Sequence, residues 1–320
     1  MDSIIPRYER PEALLEMMLL IRAYELRVTA LSAASGTPGT CTSVGQEASA
    51  VGVVSALGAD DQILTNHRSA GHLLARGADP GRMLAEVLGR HSGYCKGKSG
   101  SLHISARELG VVLTSTIVGG ELSLATGVAL SQKMLGRPGI VACFFGDGAA
   151  CEGIFHESLN LAAVWQLPLL YVCENNEWQA YVHRRETMVG EPIAKWAAAY
   201  GVESQSVDGN DVEAVRSATE SALHTIRNSG KPFLLETRTY RQRGHFEPDD
   251  QSYVDADELA AWKARDPIDR MKQRLQSSGL TAGDLAGIEA AVAARIGAAA
   301  AFAEAAPFPP ASELLTDVYA

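Results

Sequence analysis

The apolar positions of this chain fall into two patterns. Ile140-Val141-Ala142-Cys143-Phe144-Phe145 and residues 167–173 are continuous apolar runs without alternation, which suits strands buried on both faces of a parallel sheet. Between them, Ile154, Phe155, Leu159, Ala162 and Trp165 recur at helical spacing and predict a helix over residues 152–165. Strand, glycine-rich turn, helix, strand is one βαβ unit. The same alternation continues downstream, with helices expected at Ile193–Tyr200 and Val212–Ser229 and strands at residues 204–207 and 233–239.

Upstream, Pro11–Ser35 reads as a helix broken by Gly36-Thr37-Pro38-Gly39. Residues 46–57 form a second helix, and residues 60–65 a turn into a short strand. Residues 119–135 read as a helix too apolar to be exposed. Residues 89–113, with Gly93, Gly97, Gly100, Lys96 and Lys98, read as a working loop. The last 60 residues are mainly helical, and the alanine-rich tract 290–306 is expected to pack and to end at Pro307, Pro309 and Pro310. This is an α/β pattern, a mostly parallel central sheet with helices on both faces. Without a visible linker, residues 1–320 are expected to form a single domain.

Charge and composition narrow the function classes. The formal net charge is −10, so a nucleic-acid or anionic-membrane surface is not expected. No apolar run reaches about 18 residues, so no membrane span is expected. The first six residues lack the pattern of a signal peptide. Cys41, Cys95, Cys143, Cys151 and Cys173 are odd in number and include no CxxC pair, which argues against disulfides or a zinc cluster and fits a reducing cytoplasm.

Candidate chemistry sits at the strand ends. Gly146-Asp147-Gly148 follows one buried strand and Asn175-Asn176 ends the next, where open α/β sheets bind ligands. An Asp, an Asn and a nearby carbonyl supply hard oxygen donors for magnesium, with positions left for a diphosphate. The flanking glycines let backbone approach phosphate closely.

The run from Phe144 through Gly146-Asp147-Gly148, Glu152-Gly153, His156-Glu157 and Leu159-Asn160-Leu161-Ala162 to Cys173-Glu174-Asn175-Asn176 closely resembles the alpha subunit of thiamine-diphosphate-dependent 2-oxo acid and acetoin dehydrogenases. Ordered matches extend over nearly the whole chain. They include Ser43-Val44-Gly45-Gln46-Glu47-Ala48, His67-Arg68 with Gly71-His72, Lys96 to His103, Tyr240-Arg241 with Gly244-His245, Asp249-Asp250, Glu313-Leu314 and Asp317-Val318-Tyr319. The resemblance implies a thiamine-diphosphate-binding fold. It implies magnesium on Asp147, Asn176 and the carbonyl of Trp178, where the family usually carries tyrosine. Arg68 matches the arginine that pairs with the diphosphate, and His245 a loop histidine near it. Val118 and Gly148 match backbone contacts to the pyrimidine and diphosphate ends. His67, Gly146 and Ala149 complete the expected cofactor site, and His245 and His103 are the catalytic candidates.

Three positions depart from the family pattern. Ala70 stands where a histidine is common, residues 177–183 replace a small Ser/Thr/Pro-containing stretch, and Phe246 replaces a serine. His103, His183 or a partner residue is expected to compensate for Ala70.

The resemblance further implies an α2β2 heterotetramer whose beta subunit supplies the glutamate that activates the cofactor. A lipoyl-bearing acyltransferase or an acyl-carrier protein would receive the product. The expected function is therefore the alpha subunit of a magnesium- and thiamine-diphosphate-dependent enzyme cleaving a 2-oxo acid or acetoin. Two alternatives stay open: a transketolase-like subunit passing a ketol unit to a carrier protein, and a non-catalytic scaffold. The substrate itself is not legible.

Overall fold

The computed structural model describes residues 5–6, 8–35, 39–190 and 192–317. The expected break at residues 36–38 and the matches at Val318 and Tyr319 lie outside the described residues.

Six strands form one parallel sheet: β1 (Gln62–Asn66), β2 (Val111–Ser115), β3 (Val141–Gly146), β4 (Leu169–Asn175), β7 (Glu203–Asp208) and β8 (Phe233–Arg238), in the order β2-β1-β3-β4-β8-β7. A two-stranded antiparallel hairpin, β5 (Trp178–Gln179) and β6 (Val182–His183), follows β4. The helices are α1 (Pro11–Ser35), α2 (Glu47–Ala56), α3 (Ala70–Ala75), α4 (Pro80–Val87), α5 (Gly120–Met134), α6 (Asp147–Ala150), α7 (Gly153–Trp165), α8 (Val212–Ser229), α9 (Ala256–Lys263), α10 (Pro267–Ser277) and α11 (Ala282–Ala305). Residues Ile193–Tyr200 are helical as expected but wind as a 3-10 helix.

The central strands are apolar throughout because both of their faces are covered. Ala142 and Phe144 of β3, with Leu170 and Val172 of β4, face a core built from α1, α2, α3, α4, α8 and α11. Val141, Cys143 and Phe145, with Leu169, Tyr171 and Cys173, face a second core with α5 and α7. Side chains alternate across a pleated strand, so a strand sandwiched between helix layers must be hydrophobic at every position.

Local signals set the helix ends. Asp79 caps α4, accepting from the Arg82 amide at 2.8 Å, and Pro80 opens the helix. Asp211 caps α8, and Gly230 closes it in the left-handed region. Thr281 and Asp284 form a capping box on α11.

Two expectations are corrected. Strand β2 takes the end of the stretch read as loop, so the irregular part stops before Val111. Short β-branched runs next to glycines are easily absorbed into a loop reading. Helix α5 is not wholly buried: Leu124 and Met134 are exposed, and the helix covers the sheet with one face only. Helix α11 is long and apolar enough, by length and composition, to cross a membrane, because alanine counts as apolar in any hydropathy sum. In this fold its stripe of Leu285, Val292, Ile296, Ala299 and Ala303 packs against α4 and α1. All five cysteines are free thiols.

Candidate cofactor site

The strand order reverses direction between β1 and β3, and the largest crevices of open parallel sheets lie outside the carboxyl ends of strands at such a point. A cavity of about 320 Å³ occupies this place. Its floor is made of strand ends: Asn66 from β1, Ser115 from β2, Gly146 from β3 and Glu174 from β4. His67, Arg68, Val118, Asp147, Gly148, Ala149, Asn176, Trp178 and His245 also line it. The ten residues predicted as cofactor-binding, spread along the chain from His67 to His245, thus share one cavity.

Asp147 opens α6 directly from the last residue of β3. It is 1% exposed, and neither of its carboxylate oxygens has a hydrogen-bond partner. Burial, then the charge of Glu177, pushes its carboxyl up to about 7. A buried carboxylate without donors is costly. A cation would remove that cost.

Asn176 is held so that its amide cannot rotate. Its Nδ2 donates to Gln46 Oε1 at 3.0 Å, and its Oδ1 accepts from the Trp178 amide at 3.1 Å. An amide oxygen has a second lone pair, so Oδ1 keeps one for a metal. Asn175 plays a different part: it is fully buried, donates to Glu236 Oε1 at 2.7 Å and does not line the cavity.

The chain leaves β4 by a tight turn in which Glu177 has φ +68°. That turn places Trp178 at the cavity wall, with its ring packed edge-on against His183 at 5.0 Å and Tyr253 at 5.2 Å. The exchange of tyrosine for tryptophan is absorbed by this aromatic cluster.

Opposite the acids lies a basic cluster. The Arg68 amide donates to Asn66 Oδ1 at 2.8 Å, a local turn that directs the side chain inward. Its guanidinium donates to the Thr42 carbonyl at 2.6 Å and the His245 carbonyl at 2.9 Å. Among the described residues it has no carboxylate in ion-pair contact, although it is only 6% exposed. Burial holds its pKa below the ordinary value. Burial, then Arg68, lowers His67 to about 3 and His245 to about 4. Arg241, buried behind Trp178, is lowered to about 10 by burial and by Arg68. Burial depresses all four basic groups, and Arg68 further depresses the other three; a diphosphate among them would offset this.

Gly146 and Gly148 are not required by backbone conformation, and the space beside Gly146 is open. Neither has a positive φ, and a Cβ built on Gly146 meets no atom within 4 Å.

The catalytic candidates separate. His245 lines the cavity, whereas His103 is exposed on the 89–110 loop and does not. That loop is organised elsewhere: the buried Glu86 carboxylate accepts from the amides of Cys95, Gly97 and Ser99. His183 also stays outside the cavity, bonded to Glu258 at 2.9 Å. Ala70 does not line it either, but borders a narrow void with Glu25, Cys41 and His67. Sequence reasoning missed Gln46, Asn66, Glu121 and Glu174. Only their side-chain directions reveal them, although Gln46 and Glu174 lay within matched stretches.

Residues 16–312 match the family described as dehydrogenase E1 component. The chain is 43% identical over 306 residues to the alpha subunit of acetoin:2,6-dichlorophenolindophenol oxidoreductase of Bacillus subtilis (strain 168), covering 95% of this chain and 92% of that protein. It is 37% identical over 304 residues to the pyruvate dehydrogenase E1 component subunit alpha of Rhizobium meliloti (strain 1021), covering 94% and 87%. It is 39% identical over 277 residues to the acetoin protein's counterpart in Cupriavidus necator, covering 86% and 83%.

Proposed function

The chain belongs to the family of dehydrogenase E1 components, and from that premise we propose that it is the alpha subunit of a thiamine-diphosphate- and magnesium-dependent enzyme acting on acetoin or a 2-oxo acid. The observation that carries the cofactor reading is Asp147, a carboxylate buried at a cavity wall with both oxygens unpartnered. With Asn176 Oδ1 and the Trp178 carbonyl it offers magnesium three hard oxygen donors. Arg68, with His67 and His245, would hold the diphosphate, and Gly146, Gly148 and Ala149 leave room for it. Val118 stands at the rim, toward the pyrimidine end. When bound, thiamine diphosphate supplies a carbon nucleophile that attacks a carbonyl and stores the electrons of carbon–carbon cleavage. His245 is the catalytic candidate this geometry favours.

A beta subunit is the expected partner, since the relatives are alpha subunits. Its docking surface is supported by the exposed apolar residues Ile117 and Val118 at the cavity rim, Leu124 on α5, and Leu161, Val164 and Trp165 on α7. Helices α5 and α7 are in contact, which supports reading these residues as one apolar face near the cavity mouth. An α2β2 assembly, a lipoyl-bearing acyltransferase or carrier protein receiving the product, and a reducing cytoplasm suited to the free thiols complete the reading. The core shared by α1 and α11 supports one domain over residues 1–320.

The test is reconstitution with the beta subunit, followed by titration with thiamine diphosphate with and without magnesium and by turnover of acetoin, pyruvate and branched 2-oxo acids. Magnesium-dependent binding and turnover needing both subunits are expected. Turnover by this chain alone, or absence of cofactor binding to the pair, overturns the reading.

A further inference from the structure

Ten carboxylates are buried among the described residues, and seven of them leave no buried oxygen without a partner. Glu25 accepts from the Ser43 amide and hydroxyl, Glu47 from the Gly45 amide, and Glu86 from three loop amides. Glu174 accepts from Ser49, and Glu236 from Asn175 and the Ala194 amide. Asp147, Glu121 and Glu247 differ: each has buried carboxylate oxygen without a hydrogen-bond partner, but Glu247 lies 3.6 Å from Arg243, and of the three only Asp147 and Glu121 line the cavity. Asp147 is accounted for by a cation. Glu121 is not.

Glu121 lies in the first turn of α5 and is 1% exposed. The chain reaches it through Gly119, which has φ +76° and on which a Cβ would meet Ile154 at 2.8 Å. This turn leaves Val118 exposed at the rim and the Glu121 side chain against the cavity. From β3, Cys143 Sγ contacts the Glu121 carbonyl at 3.5 Å and fixes the backbone. Its Oε2 has no donor. Burial is the dominant influence and raises its pKa to about 7. Glu121 shares its stretch of the cavity lining with Ser115, Ile117 and Val118, none of them charged.

An unpaired carboxylate oxygen accepts hydrogen bonds, so its ligand must bring an N–H or O–H into an otherwise apolar region. Thiamine diphosphate carries one N–H donor group, the exocyclic amine of its pyrimidine ring, at the end remote from the diphosphate. We propose that Glu121 is a cofactor-binding residue whose carboxylate accepts a hydrogen bond from that amine and sets the orientation of the pyrimidine ring. This rests on the cofactor reading above.

The test compares thiamine diphosphate with its analogue lacking the pyrimidine amine, by calorimetry in the presence of magnesium on the chain assembled with its beta subunit. The wild type should prefer the natural cofactor. Glu121→Ala should reduce that preference about tenfold, the scale of one buried hydrogen bond to a charged group. Glu121→Gln, whose amide oxygen still accepts, should retain most of the preference and serves as the readout where the alanine variant fails to fold. Binding of the natural cofactor with an unchanged preference in Glu121→Ala overturns this assignment and leaves the cofactor reading intact. Equal affinity of the wild type for both compounds overturns it as well. Failure of the wild-type assembly to bind either compound overturns both.

Discussion

The two ends of the cavity are built on opposite principles. At one end, Asp147, Asn176, Arg68 and His245 are buried and held by hydrogen bonds from their own chain or, for Asp147, left without any. At the other, Ile117 and Val118 are exposed and open onto the apolar face of α5 and α7. The charged end is organised by this fold alone. The apolar end is unfinished, because large exposed apolar side chains beside a cavity are what a second protein covers. Anchoring a diphosphate requires fixed charge and exclusion of water, which a strand-end pocket provides. Enclosing the apolar end would fall to a partner covering those exposed side chains.

The largest effect should come from the charged end. Asp147→Ala should weaken magnesium-dependent cofactor binding by about 100-fold or more, the scale of removing one member of a buried charge pair. Calorimetry with and without a chelator measures it, and a variant with unaltered magnesium dependence would break the contrast between the two ends.

Next, Arg68→Lys should lose about 10- to 100-fold in cofactor affinity, because an ammonium cannot serve Thr42, His245 and an anion from one planar group. Equal affinity would mean that Arg68 acts as a point charge only.

At the open end, Leu124→Asp should weaken association with the beta subunit by about 30-fold, the scale of an interface hot spot. The melting temperature of the isolated chain should hardly change, since Leu124 is already exposed. Sedimentation and melting curves separate these effects, and undiminished association would place the interface elsewhere.

The smallest effect concerns pH. Burial raises Glu25 and Glu121 to about 7 from 4.5. Their contribution to stability is complete below about pH 4.5 and is lost as pH rises through 7. His67 and His245, lowered to about 3 and 4, act in the opposite sense: their contribution is complete above 6.5 and is lost as pH falls. Glu25→Gln should therefore flatten the alkaline decline of the cofactor-free chain between pH 5 and 8, by roughly 2–4 °C in Tm. A decline as steep as in the wild type would assign the pH dependence to other groups.

Much of this was legible in the chain. Strands β3 and β4 announced themselves because burial on both faces leaves no polar position, and helix α8 because one apolar stripe fixes its period. The ordered motifs carried the family, confirmed by the match over residues 16–312. Gly146-Asp147-Gly148 and Asn176 could be placed at strand ends because strand, helix and strand are local in sequence. His103 stood in an equally good motif, yet it is exposed and outside the cavity.

By itself, then, the sequence determined the layer architecture, the family and the residues proposed to hold a metal and a diphosphate, since these depend on periodicity and on residue type. Only the tertiary structure decided which member of Asn175-Asn176 faces the cavity, that Glu121 shares it with Asp147, and that α5 keeps an apolar face uncovered. Those outcomes depend on side-chain direction and on what packs opposite, and both are set by contacts between segments far apart in the chain.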